Sequence, residues 1–168
     1  ATARGYLKKV DPKLAIQLGA LEVCRDNGKD MLPILVTARR APAPRCIAEG
    51  IVSALSSERC KTLKAAAHKL AGTLGASKNG DSLDTRWVVS ALQIATESAR
   101  EAGYTGVLLV IDELGKLFEY AARYPQKGDV YILQELAEHA ARSNNFPTIL
   151  VGLLHQSFEE YGHHLDIG

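Results

Sequence analysis

Nowhere does the chain contain G-x-x-x-x-G-K-S/T, the loop whose backbone amides and lysine cradle nucleotide phosphates. The nearest glycine-rich stretch, Gly72 to Gly80, has a lysine at the wrong spacing and no apolar strand leading into it, so it reads as a flexible loop. Cysteine is scarce as well. Cys24, Cys46 and Cys60 are far apart among apolar neighbours and form no C-x-x-C pair, which excludes a zinc site by spacing and predicts reduced core thiols. A net charge of +1 provides no global basic field for nucleic acid or membrane binding. No window approaches the roughly 20 apolar residues of a membrane span, and Ala1 to Gly5 lack the apolar core of a signal peptide. A cytoplasmic protein that does not enter a membrane is expected. With 46% hydrophobic residues in 168, the chain can bury one core, so residues 1–168 are expected to form one domain.

What is present centres on Gly106-Val107-Leu108-Leu109-Val110-Ile111-Asp112-Glu113, an unbroken apolar run that ends in two carboxylates. Continuous apolarity predicts a parallel strand covered on both faces, and open α/β sheets bind ligands beyond the carboxyl ends of such strands. If a nucleotide sits there, Asp112 can anchor Mg²⁺ through its waters, and Glu113 can orient or deprotonate the water that attacks the terminal phosphate. That is the logic of a Walker B strand. Two further apolar runs have strand length. Leu32 to Thr37 is stopped by Ala41-Pro42-Ala43-Pro44, and Thr148 to Leu154 ends in His155-Gln156. Parallel strands would bring those polar groups to the same edge as Asp112 and Glu113.

Helical patterns fill the intervals. Asp11-Pro12 opens one that carries Leu14, Leu18 and Leu21 and closes at Asn27-Gly28. A second holds Ile47, Ile51, Ala54 and Leu55, and a third holds Cys60, Leu63, Ala67, Leu70 and Ala71. The next starts near Asp84, carries Trp87, Ala91, Ile94, Ala95 and Ser98, and ends at Gly103. After Glu113 the pattern is helical from Leu114 to Tyr124, and Asp129 is placed to cap a last helix with Leu133, Leu136, Ala137 and Ala140 inward. Strands alternating with helices predict an α/β fold with a parallel sheet flanked by helices in three layers.

The segments Val110 to Lys116, Leu133 to Glu138 and Leu150 to Phe158 together resemble P-loop ATPases of the AAA+ or additional-strand class, and more narrowly the ATPases of bacterial phage-defence systems. Ile34 to Arg39 fits the same scheme. The resemblance implies ATP and Mg²⁺ as ligand and cofactor, with Asp112 toward the metal, Glu113 catalytic, and His155 or Gln156 sensing the terminal phosphate. It also implies a central acidic strand, a phosphate loop and its strand upstream of Ala1, and hydrolysis in the full-length parent coupled to work on a protein or nucleic-acid partner. This chain by itself is expected to be inactive, and an oligomeric parent is left open. Arg142 and Arg123, each at a helix end, are the arginine-finger candidates.

Other readings stand beside these. Asp112 and Glu113 could serve as cap and first-turn acid for the helix at Leu114, since carboxylates favour a helix N-terminus. His155 could be a strand-end histidine bonded to backbone. The pair His163-His164 lacks a third ligand nearby and reads as a solvated tail, and Lys116, Glu119 and the Lys127 loop read as exposed. As a whole, the chain could be a non-catalytic α/β module that binds proteins through the helices around its sheet.

Overall fold

The structure is a computed structural model that describes residues 30–76, 83–126, 130–143 and 145–155. The helix expected over 11–28, Cys24, Gln156 and His163-His164 lie outside the described residues.

The sheet begins with β1 (Leu32–Thr37), where Pro33 is compatible with a strand because of its position. The Leu32 N–H donates to the Gly106 carbonyl at 2.9 Å, so even-numbered residues of β1 face the neighbouring strand. The nitrogen of Pro33, which cannot donate, points to the outer edge. The same prolines that end the strand start the next element: Pro42 occupies the cap position of α1 (Ala43–Ser57) and Pro44 lies in its first turn. Ile47, Ile51 and Leu55, four residues apart, form the buried stripe of α1. Gly50 lets this helix approach the sheet closely. A Cβ there would stand 2.6 Å from Val36 Cγ2 and 3.4 Å from the Leu35 carbonyl oxygen.

Two helices follow, α2 (Lys61–Ala76) and α3 (Thr85–Glu101). Asp84 caps α3 by accepting from the Arg86 N–H at 3.0 Å, and Gly103, at φ 84°, turns the chain after it. The glycine-rich loop expected from Gly72 begins later than its composition suggests, because Gly72 and Gly75 are still inside α2. Each glycine costs a helix roughly 1 kcal/mol, which is too little to stop one anchored by buried Leu63, Ala67 and Leu70.

The central strand β2 (Val107–Asp112) leads into α4 (Gly115–Arg123), then α5 (Tyr131–Ala141) and finally β3 (Thr148–Gly152). Strand order is β1-β2-β3 with both pairings parallel, so the acidic strand is central, as expected. The third strand is shorter than its apolar run. It was expected to extend to His155 but ends at Gly152, because β2 has turned into α4 and has no backbone beyond Leu114 to pair with.

Both crossovers step across the sheet in one direction, and right-handed connections of that kind place their helices on one face. Burial agrees. On the covered face Leu32, Ile34, Val36, Val107, Leu109 and Ile111 are at most 2% exposed, each worth about 1.5–3 kcal/mol relative to exposure. On the opposite face Leu35 is 66% and Ile149 40% exposed. Coverage on both faces, expected from the continuous apolar run, is therefore not what the described residues provide. The architecture is α/β, a parallel sheet flanked by helices, and among the described residues the second helical layer is not found. No described helix is long and apolar enough to cross a membrane.

Candidate site at the carboxyl edge of the sheet

Asp112 and Glu113 stand where the central strand leaves the sheet, and the backbone there departs from a regular ladder. The Leu153 N–H donates to the Ile111 carbonyl at 2.9 Å. An uninterrupted parallel ladder would return the Leu153 carbonyl to the N–H of Glu113, but the N–H of Leu114 makes that bond instead, at 3.0 Å. One extra residue is thus inserted at Glu113. It takes a left-handed conformation with φ 56°, the one positive φ at a non-glycine position among the described residues. Its freed N–H donates to Asp112 Oδ1 at 2.8 Å. Bulges of this kind re-aim side chains and recur beside active sites, and a non-glycine residue in this region costs of order 1–3 kcal/mol.

The bulge also bears on the capping alternative. Leu114 occupies the cap position of α4, no side chain caps that helix, and its first turn holds no acid. The Asp112 carboxylate bonds the N–H of its own neighbour, ahead of the helix, so neither acid caps it.

Glu113 pairs instead with Lys116 in the first turn of α4. The hydrogen bond from Lys116 holds the Glu113 carboxyl below the usual glutamate range against a smaller opposing effect of burial, and the charges of Lys116 and His155 act in the same direction. His155 is exposed and stands beyond the end of β3, close enough for its charge to act on Glu113. Three of the four expected site residues, Asp112, Glu113 and His155, therefore share one edge. The fourth, Gln156, lies outside the described residues.

A metal at this edge would find limited protein ligation. Among the described residues no group of three or more histidine, cysteine, aspartate and glutamate side chains could hold an ion. Asp112 is half-buried, with one oxygen engaged by the Glu113 N–H and the other without a described hydrogen bond. A single carboxylate fits Mg²⁺ that keeps several waters and takes its remaining ligands from phosphates, and does not fit an all-protein cage.

Arginines were not expected at this edge, yet the loop after β1 brings Arg39 and Arg40, and the first turn of α1 adds Arg45. Arg39 and Arg45 divide the Glu49 carboxylate, with Arg39 Nη2 2.5 Å from Oε2 and Arg45 Nε 3.0 Å from Oε1. The Arg39 pair keeps its guanidinium charged to still higher pH than usual, chiefly through that hydrogen bond. Arg40 crosses from the loop to α4, with Nε 2.6 Å from Glu119 Oε2. The sequence signal was the Arg39-Arg40 pair directly after a strand whose carboxyl end lies at the same edge as Asp112. Arg142, by contrast, pairs with Glu138 on its own helix and leads into the start of β3, at the opposite edge. Cys46 is buried and Cys60 half-buried, as expected of thiols placed among apolar neighbours.

No protein-family profile, curated protein or solved structure matches the chain.

Proposed function

We propose that this chain forms the acid-pair half of a Mg²⁺-ATP hydrolysing site of the P-loop ATPase kind, with its phosphate-binding loop supplied from outside these 168 residues. The observation that carries the reading is the bulge at Glu113. A central parallel strand ends in two adjacent acids, the second is held in a costly conformation, and neither caps the helix that follows. In this site Asp112 would hold Mg²⁺ through its waters, and Glu113 would act as the base for the water that attacks the terminal phosphate. Mg²⁺, when bound, neutralises charge on the phosphate oxygens. His155 stands on the same edge, where an imidazole can hydrogen-bond a phosphate oxygen, and Gln156 is the other candidate for that contact. Hydrolysis would drive work on a protein or nucleic-acid partner, with phage defence as the setting to which the sequence resemblance points.

The test is a pair of substitutions in the protein expressed from its complete reading frame. Glu113→Gln keeps shape and hydrogen-bonding reach but removes the base. Nucleotide binding should survive while turnover falls by roughly 10²-fold or more. Asp112→Asn should weaken the Mg²⁺-dependent part of nucleotide binding, because a neutral amide is a poorer partner for a hard cation or its waters. Wild-type turnover in Glu113→Gln would overturn the catalytic assignment.

A second reading, a non-catalytic module that binds protein partners, draws on the apolar sheet face where Leu35 and Ile149 are exposed. Charge substitution at Leu35 that abolishes partner binding while leaving nucleotide turnover intact would favour it.

A further inference from the structure

Four cations at the carboxyl edge share three acids, and their pairing is uneven. Arg39 and Arg45 together occupy both oxygens of Glu49, which fastens the loop after β1 to α1. Lys116 is taken up by Glu113. Arg40 has a different kind of partner. Glu119 lies 79 residues away on α4, and the Arg40 side chain is 70% exposed, the highest exposure of the four. Exposed ion pairs of this kind are weak and screened by solvent, so the Arg40 bond is easily exchanged.

Its position ties it to the acids. The Ala38 N–H donates to the Asp112 carbonyl at 2.9 Å, so the backbone two residues before Arg40 is held to the end of the acidic strand. On α4, Glu119 lies three residues after Lys116, on the same helical face, and Lys116 holds Glu113. The residue that binds Arg40 thus follows the residue that binds Glu113 by about one helical turn on α4. The start of α1, which follows directly, carries no acid in its first turn and no side-chain cap, so the partial positive charge of that helix end adds to the field. A guanidinium presents a planar fork that matches two phosphate oxygens, a geometry that a lysine ammonium lacks.

We infer that Arg40 is a phosphate-contacting residue of this edge, which exchanges its Glu119 partner for an anionic phosphate group of the bound nucleotide. The inference rests on the ATPase reading above. Glu119 then competes with phosphate for the same guanidinium, which gives the two residues opposite effects.

The experiment measures kcat and KM for Mg²⁺-ATP in the protein expressed from its complete reading frame, with Glu113→Gln as the reference for turnover at this site. Arg40→Ala should lower kcat/KM by about 10-fold or more, the usual weight of a hydrogen bond to a charged group. Arg40→Lys should recover part of that loss, since charge returns without the fork. Glu119→Gln should raise kcat/KM, by up to about 5-fold, the worth of an exposed pair. Thermal melting of each variant separates folding from chemistry. Equal losses in Arg40→Ala and Glu119→Gln would mean that the pair only ties the loop to α4, and an unchanged Arg40→Ala would mean that the arginine does not reach phosphate. Either result overturns the inference while leaving the ATPase reading intact. Absence of any Glu113-dependent hydrolysis in the wild-type protein would overturn that reading, and this inference with it.

Discussion

Glu113 carries two opposed demands, one on its backbone and one on its side chain. At φ 56° a residue with a Cβ costs about 1–2 kcal/mol, and glycine would escape that cost. Against the gain, Glu113→Gly gives up backbone entropy of roughly 0.5–1 kcal/mol and a solvent-screened pair with Lys116. The three contributions nearly cancel, so Glu113→Gly should unfold in urea within about 1 kcal/mol of the wild type. Glu113→Val keeps the Cβ, adds a branch beside it and loses the same pair, and should be at least about 1 kcal/mol less stable than the glycine variant. Equal stabilities for the two would show that the left-handed backbone carries no strain. The position of the two acids was legible in sequence because an apolar run ended in them. Their conformation was not, because a bulge depends on which neighbouring carbonyl the next N–H finds, and only the assembled β2 and β3 decide that. The Arg40 pairing was missed for a related reason: a partner 79 residues distant leaves no local pattern.

At the level of elements, the strands were the most readable part, since Leu32 to Thr37, Gly106 to Asp112 and Thr148 onward are short apolar runs bounded by turn residues. Helix phase was harder. In α5 the buried residues are Ile132 and Leu136, whereas Leu133 is half-buried and Ala137 exposed. Two large aliphatic residues at 132 and 133 fit two stripes equally well, and packing against α3 and β3 chose the one that includes Ile132. Asp129, the expected cap, lies outside the described residues, and Val130 at the cap position makes no side-chain cap bond. A tie between elements that no periodicity reveals runs from the end of α1 to the turn before β2: Tyr104 donates its hydroxyl to Glu58 Oε2 at 2.8 Å. Burial raises the Tyr104 phenol to about 12, with the hydrogen bond and the charge of Glu58 adding to the effect. An acid whose folded value lies above its unfolded value near 10 stabilises the fold below pH 10 and loses that contribution as pH rises toward 12. The unfolding midpoint of the wild type should therefore fall more steeply between pH 10 and 12 than that of Tyr104→Phe. Parallel curves for the two proteins would show that the phenol does not titrate in that window.

At the scale of the molecule, strand order follows from connection length and handedness, and it brings the ends of β1, β2 and β3 to one edge. Asp112, Glu113, His155 and the loop that carries Arg39 and Arg40 stand there for that reason. The same topology explains the face with exposed Leu35 and Ile149, since neither crossover among the described residues can reach it. Among the described residues the edge has no cradle for phosphate. Most phosphate contacts in sites of this kind come from a glycine-rich loop, its lysine and the N-terminus of the helix behind it, and no segment of the 168 residues has that spacing. Arg40 and Lys116 supply charge at the edge and His155 an imidazole, but none supplies a row of backbone amides. The chain of residues 1–168 should accordingly bind Mg²⁺-ATP weakly and hydrolyse it negligibly when purified alone. Calorimetric titration with Mg²⁺-ATP tests this, and a stoichiometric, saturable heat at micromolar nucleotide would show that these residues build a phosphate site of their own. In that event Arg40→Ala and Glu119→Gln, repeated in this short chain, would show whether the arginine helps to form it: loss of the heat in the first with its retention in the second would place the phosphate on Arg40.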